Sequence, residues 1–356
     1  MRWTIMNLLL LPLMMFWLLP PPKNAATAEV PAIIVFGDST VDTGNNNRIS
    51  ALLKSNFRPY GRDFMGGKPT GRFSNGRLAT DFYSEFYGLG PFVPAYLDPK
   101  YGIEDFATRV CFASAGSGLD NATANVLSVI PLRMQVQYYK EYQTRLKSYL
   151  GEEKAKHTLR EAAYVISIGT NDFIENYFAY TTDRYMQFTV GEYVDFLAGL
   201  ARDFFEELYA LGARKIGFTG LGPIGCVPLE RSLNFITTAG SCMEEYNEVA
   251  RDFNAKLQAV IDELCATLPG IQLKLAPVYD FFVYVLQNGF LYGFENVEFG
   301  CCATGTIEVG YTCNELSPFT CPDASKYVFW DAVHPTEKAG QIIAAYLFNT
   351  TVGQFQ

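Results

Sequence analysis

The chain has 356 residues, with 37 acidic against 28 basic ones and a formal charge of −9. No basic run offsets that balance, which argues against nucleic acid and against electrostatic binding to anionic lipid. Aromatic residues make up 15% of the chain, ample material for a large core, and histidine occurs only twice, as His157 and His334.

The N-terminus reads as a leader. Met1 and Arg2 precede an apolar run from Leu8 to Leu19, three prolines and Ala25-Ala26-Thr27-Ala28. A basic start, a short apolar core and an Ala-x-Ala end describe a secretory signal peptide over 1–28, and the run is too short for a stable membrane span. The expected product is secreted and extracellular, with no integral membrane segment after cleavage. From 29 to 356 no Pro/Gly/Ser-rich linker, charge block or repeat divides the sequence, so a single domain is expected.

Short runs rich in Val, Ile and Phe predict strands at 32–37, 109–114, 163–169, 214–219 and 271–276. Longer amphipathic segments between them predict helices at 77–87, 131–150, 191–211 and 243–267. The last has apolar residues at Val249, Phe253, Leu257, Val260, Ile261 and Leu264, a helical period. Alternation of this kind predicts the α/β class with a parallel sheet.

Such sheets bind ligands outside the carboxyl ends of their strands. The segments found there are Gly37-Asp38-Ser39-Thr40, Ser114-Ala115-Gly116 and Gly169-Thr170-Asn171-Asp172, with Asp331 to His334 following a short apolar run at 327–330. A serine hydroxyl needs a base to take its proton, and the base needs an orienting group. Ser39, His334 and Asp331 are the candidates, since His157 lies in a charged run that reads as a solvated helix face. Pro335 suits a first helical position, which would seat His334 at a helix start. The competing reading has Asp331 capping that helix and His334 filling a turn. Backbone N–H groups of Ser39 and Gly116 and the Asn171 amide suit an oxyanion hole, although glycine and asparagine after strands are most often turn residues. The absence of a Gly-x-Ser-x-Gly elbow counts against an α/β-hydrolase.

Eight cysteines behind a leader predict disulfides. Zinc at Cys302, Cys313 and Cys321 is disfavoured by the lack of any Cys-x-x-Cys pair and by the scarcity of histidine. Asn121-Ala122-Thr123 and Asn349-Thr350-Thr351 are glycosylation sequons, making Asn121 and Asn349 the candidate acceptors.

Six blocks in order resemble the plant-type GDSL esterase/lipases of the SGNH hydrolase superfamily: Phe36 to Asn46, Gly71 to Gly76, Phe112 to Gly118, Ile168 to Asp172, Gly222 to Cys226 and Phe329 to Glu337. The resemblance implies a three-layer αβα sandwich with a central, mostly parallel five-stranded sheet, flavodoxin-like in arrangement. It implies Ser39 as nucleophile, His334 as base supported by Asp331, and Gly116 and Asn171 as oxyanion partners of the Ser39 amide. No metal or organic cofactor is implied. Cys111 and Ala115 depart from the usual Asn and Gly of the third block, which bears on local loop packing, and Asp38 and Asp42 read as structural. The family pattern also suggests Cys226 with Cys242 and pairing among Cys301, Cys302, Cys313 and Cys321, leaving Cys111 and Cys265 as buried thiols. The expected activity is hydrolysis of a small-molecule or lipid ester through an acyl-enzyme. An acyltransferase using the same residues, or a non-catalytic extracellular binding protein on the same fold, are the alternatives.

Overall fold

The computed structural model describes residues 30–233 and 240–355; the leader expected over 1–28 lies outside them. Five strands, β1 (Ile33–Gly37), β2 (Arg109–Cys111), β3 (Ala163–Ser167), β4 (Lys215–Thr219) and β5 (Gln272–Ala276), form one sheet in the order β2-β1-β3-β4-β5. All four ladders are parallel. The helices of eight or more residues are α1 (Ala79–Phe86), α2 (Leu132–Leu150), α3 (Glu152–Glu161), α4 (Val190–Ala210), α5 (Glu244–Thr267), α6 (Val278–Gln287) and α7 (Glu337–Thr350).

Period-2 alternation of the strands makes two cores. Ile34, Phe36, Tyr164, Ile166, Ile216 and Phe218 pack against α2, α4 and α5. Ile33, Val35, Ala163 and Val165 face the other way, onto Phe82 and Tyr83 of α1, Phe282 of α6 and Ile343 and Leu347 of α7. Both faces of the sheet are covered, so the central strands β1 and β3 read as near-continuous apolar runs while the edge strand β5, Gln272-Leu273-Lys274-Leu275-Ala276, alternates, and the result is the expected three-layer αβα sandwich. Phe36 shows the packing. Its ring lies 5.3 Å from Phe112, 5.5 Å from Tyr139 and 5.7 Å from Phe204, and burying one such side chain contributes about 1.5–3 kcal/mol.

The helix ends follow their capping residues. Thr189 accepts from the Glu192 N–H while Glu192 accepts from the Thr189 N–H, closing a capping box at the start of α4. Thr336 caps α7 by accepting from the Ala339 N–H at 3.2 Å. The helix after His334 thus begins at Glu337, not at Pro335. Pro335 instead forms an antiparallel bridge with Phe329, and Trp330 N–H donates to His334 O at 2.7 Å, so His334 stands on the returning arm of a tight reversal whose tip is Asp331 to Val333. The second strand is also shorter than 109–114. Phe112 and Ser114 still donate to Val35 O and Gly37 O of β1, at 2.8 and 3.0 Å, as the chain leaves the ladder.

A second, two-stranded parallel sheet, β6 (Asn296–Gly300) and β7 (Tyr327–Phe329), leads into this reversal. Disulfides Cys301–Cys321 and Cys302–Cys313 close the intervening loop, and Cys226–Cys242 closes another after β4. Cys111 is a buried free thiol, but Cys265 is exposed: Leu264 takes the inward position of the last turn of α5 and Cys265 falls one step round on its flank. Among the described residues no helix is long and apolar enough to cross a membrane.

With β2 on one side of β1 and β3 to β5 on the other, the strand order reverses between β1 and β3. That is the switch point at which doubly wound sheets open a crevice at their carboxyl ends.

Candidate active site

Ser39 is two residues past β1, and its loop is fixed by its neighbours. Gly37 has φ +144°, and a Cβ there would lie 2.0 Å from Ser167 O, so only glycine lets β1 end this close to β3. Gln135 of α2 grips Gly37 on both sides, accepting from its N–H at 3.0 Å and donating to its carbonyl at 2.9 Å. Asp38 accepts from the N–H and hydroxyl of Thr40 at 2.9 and 2.7 Å, and Thr40 Oγ1 lies 2.8 Å from Ser167 Oγ on β3. Burial pushes the Asp38 carboxyl up to about 6, while Thr40 and the nearby His334 pull it down.

The next loop is tied to the first. Asp42 accepts from the N–H groups of Gly44, Asn45 and Ala115. Asn45 donates to Cys111 O and Ala113 O, and Asn46 donates to Ala115 O. Asp42 is thus structural, and the two departures from the family pattern are absorbed: Cys111 donates to Val41 O at 3.2 Å, and burial raises its thiol to about 12. The third loop closes on the second. Asn171 donates one amide hydrogen to Ser117 O at 2.9 Å, while Asp172 accepts from the N–H groups of Leu119 and Asp120 and from Thr123 Oγ1.

The loops after β1, β2 and β3 therefore bring Ser39, Gly116 and Asn171 to one sheet edge. Among the described residues the N–H groups of Ser39 and Gly116 donate to no acceptor. Asn171 keeps one amide hydrogen free, since its NH2 has two and Ser117 takes one.

His334 arrives from the other end of the chain. Its Nδ1 lies 2.8 and 2.9 Å from the two carboxylate oxygens of Asp331. Asp331 is fully buried and also accepts from the N–H groups of Val333 and His334, at 2.9 and 2.7 Å, which locks the turn. It does not cap α7; Thr336 does. The phenol of Tyr60 donates to Asp331 Oδ2 at 2.7 Å and accepts from the Gly310 N–H at 2.8 Å. Burial and the Asp331 charge hold that phenol well above the usual range, so it remains a donor. With Nδ1–H given to the carboxylate, the lone pair of the imidazole is on Nε2. That atom is buried and has no hydrogen-bond partner among the described residues. The Ser39 hydroxyl does not bond it here; such contacts often tighten only in the substrate complex.

Tyr60 and Glu175 were not legible in the sequence. Tyr60 acts on a residue 271 positions away, and no local pattern marks it. Glu175 lies one helical turn past Asn171, and that spacing was the available signal. Burial lifts its carboxyl to about 7, with His334 pulling it down and Asp38 pushing it up. His157 is on the exposed face of α3, as its charged neighbours suggested. Asn121 and Asn349 are both exposed.

Beneath the edge lies an apolar cavity of about 150 Å³. Val41, Val165, Ile224, Phe282, Ile343 and Leu347 line it, and Thr40 and His334 contribute to its wall. No cluster of three or more His, Cys, Asp or Glu side chains suited to a metal ion occurs among the described residues.

The five-stranded parallel sheet flanked by helices is consistent with the SGNH hydrolase fold. The GDSL-like Lipase/Acylhydrolase family matches residues 33–347. A GDSL esterase/lipase of Arabidopsis thaliana is 54% identical over 336 residues, covering 92% of this chain and 93% of the relative. A second from the same plant is 55% identical over 327 residues, with the same coverage of 92% and 93%. The chain belongs to the GDSL-like lipase/acylhydrolase family.

Proposed function

We propose that the protein is a secreted carboxylic ester hydrolase that works through Ser39, His334 and Asp331. The observation carrying this reading is the state of His334: Nδ1 is spent on Asp331 and Nε2 is buried and open. Ser39 Oγ bonds to the ester carbonyl carbon while its proton passes to Nε2. The oxyanion is received by the Ser39 and Gly116 N–H groups and the free Asn171 amide hydrogen, donors that need no rearrangement at the moment of reaction. His334 then protonates the leaving alcohol, and water releases the acid from the acyl-enzyme. The apolar cavity beside His334 takes the acyl chain. A cavity of this volume in another protein holds benzene, so about six carbons fit.

Three disulfides and an N-terminal stretch with leader character support export, with residues 1–28 removed and 29–356 folding as one domain. The exposed Asn121 and Asn349 are then the glycan acceptors. A fluorophosphonate reagent tests the chemistry: peptide mass spectrometry should find the label on Ser39, and Ser39→Ala should fold but keep less than about a tenth of kcat. Labelling elsewhere, or undiminished hydrolysis by Ser39→Ala, overturns the assignment.

A further inference from the structure

Two buried side-chain atoms able to accept a hydrogen bond stand open. His334 Nε2 and Glu175 Oε2 are both buried, and neither has a hydrogen-bond partner among the described residues. Glu175 belongs to the π-helical segment Asp172–Tyr177, which follows Asn171. Its carboxyl is within electrostatic reach of both His334 and Asp38. Single π-turns are frequent at functional sites, where the widened turn re-aims a side chain.

Polar neighbours on the same segment are spent on the fold. Asp172 accepts three hydrogen bonds from the loop after β2, and Asn176 donates to Thr123 and Tyr193. Glu175 contributes its backbone carbonyl to Thr181, but its Oε2 serves nothing in the fold. Leaving a buried acceptor unmatched costs about 1–3 kcal/mol, and more when it is charged, so such an oxygen normally has a use. Where two such acceptors face one space, a single oxygen that carries two hydrogens matches both. Water is such a donor. A monohydric alcohol has one hydroxyl hydrogen and satisfies the histidine alone.

We propose that Glu175 is a catalytic residue of the deacylation step, the second anchor of the hydrolytic water, and that it sets the preference for water over alcohols as acyl acceptor. The inference rests on the acyl-enzyme chemistry proposed above. One water hydrogen is directed to Glu175 Oε2 and the other to His334 Nε2. As the water oxygen bonds to the acyl carbon, the hydrogen facing His334 passes to Nε2 as a proton. The bond from the acyl carbon to Ser39 Oγ then breaks, Oγ takes that proton back, and the hydrogen held by Glu175 leaves on the carboxylic acid. Above a pH of about 7 Glu175 is ionised, which makes it the stronger acceptor.

The test is acyl partitioning. The full chain is given p-nitrophenyl butyrate in water with added methanol, and butyric acid and methyl butyrate are measured by gas chromatography. Their ratio is set after the acyl-enzyme forms, so it does not depend on how much of a variant is folded. Glu175→Leu should shift the ratio toward methyl butyrate by roughly tenfold or more, whereas Glu175→Gln, whose amide oxygen still accepts, should stay within about threefold of wild type. An unchanged ratio in Glu175→Leu overturns the proposal. Failure of both variants to fold or to become acylated also overturns it, because Glu175 would then serve the fold or the first step. The two readings fail separately. A wild-type chain that neither reacts with fluorophosphonate nor releases nitrophenol sinks the triad and this inference with it; normal acylation with an unmoved ratio sinks the role of Glu175 alone.

Discussion

Replacing Tyr60 by Phe removes one oxygen from the core and probes how the acid of the site is held. The ring contacts with Phe57, Phe73 and Trp330 should survive, since phenylalanine keeps the ring. What is lost is the donor to Asp331 Oδ2 and the acceptor for the Gly310 N–H. A hydrogen bond to a charged group is worth about 1.5–3 kcal/mol, and a buried N–H left unpaired costs about 1–3. Because the effects share one hydroxyl and are not additive, about 3 kcal/mol in total is the expected loss. For a domain of this size that lowers Tm by about 6 °C, at roughly 2 °C per kcal/mol. Asp331 keeps the Val333 and His334 N–H groups and the imidazole as donors, so the turn should hold and kcat should stay within about tenfold of wild type, below the usual worth of a general base. Thermal unfolding followed by near-UV circular dichroism, with kcat on a soluble ester, reads both quantities. A Tm change under about 1 °C would refute the reasoning on stability, and a kcat loss beyond about a hundredfold at unchanged Tm would show that Tyr60 acts on the reaction itself.

Asn171→Ala should lower kcat by roughly 10²–10³ with little change in KM if its free amide hydrogen meets the oxyanion; a loss mainly in Tm would return Asn171 to a role in holding Ser117. Gly340 of α7 lines the apolar cavity, and a Cβ there meets nothing nearer than Ala79 N at 4.0 Å, so Gly340→Leu should fill the cavity. It should raise helix stability by roughly 0.8 kcal/mol and cut kcat/KM on hexanoate esters relative to acetate esters, and an unaltered chain-length profile would move the acyl chain elsewhere. The carboxyls of Asp38 and Asp42, raised to about 6, and of Asp172, raised to about 7, all chiefly by burial, bind protons more tightly folded than unfolded. Their stabilising contribution is complete below the unfolded carboxylate range near pH 4 and is lost as pH rises through 6 to 7; Tm measured from pH 5 to 8 should therefore fall, and a rise would contradict the assignment.

The strands were legible because both faces of the sheet are covered, which writes Ile33 to Phe36 as an unbroken apolar run. The site loops were legible because chemistry at a parallel sheet gathers just past strand ends, where Ser39, Gly116 and Asn171 stand. The reversal around His334 was misread because Pro335 suits a helix start equally well as a bridge to Phe329, and only tertiary pairing decides between them. The run at 327–330 was legible as apolar, but its irregular parallel pairing with Asn296–Gly300, a strand broken by polar Asn296 and Glu298, is set by tertiary contacts alone. Tyr60 reaches Asp331 through a contact between distant segments, which no local pattern encodes, whereas Glu175, four residues past Asn171, had only that spacing to mark it.

The cross-linked loop also divides the site by the kind of bond that maintains it. Cys301 N–H donates to Phe329 O and Cys302 N–H to Trp330 O, Ala332 N–H donates to Glu308 O, and Gly310 reaches Asp331 through Tyr60. The scaffold around His334 is thus fastened by Cys301–Cys321 and Cys302–Cys313, whereas the loops bearing Ser39, Gly116 and Asn171 are sewn together by hydrogen bonds that Asp42 accepts and that Asn45, Asn46 and Asn171 donate. Reduction of these two buried bridges should therefore loosen the footing of the His334 turn while the loops bearing Ser39, Gly116 and Asn171 keep their ties.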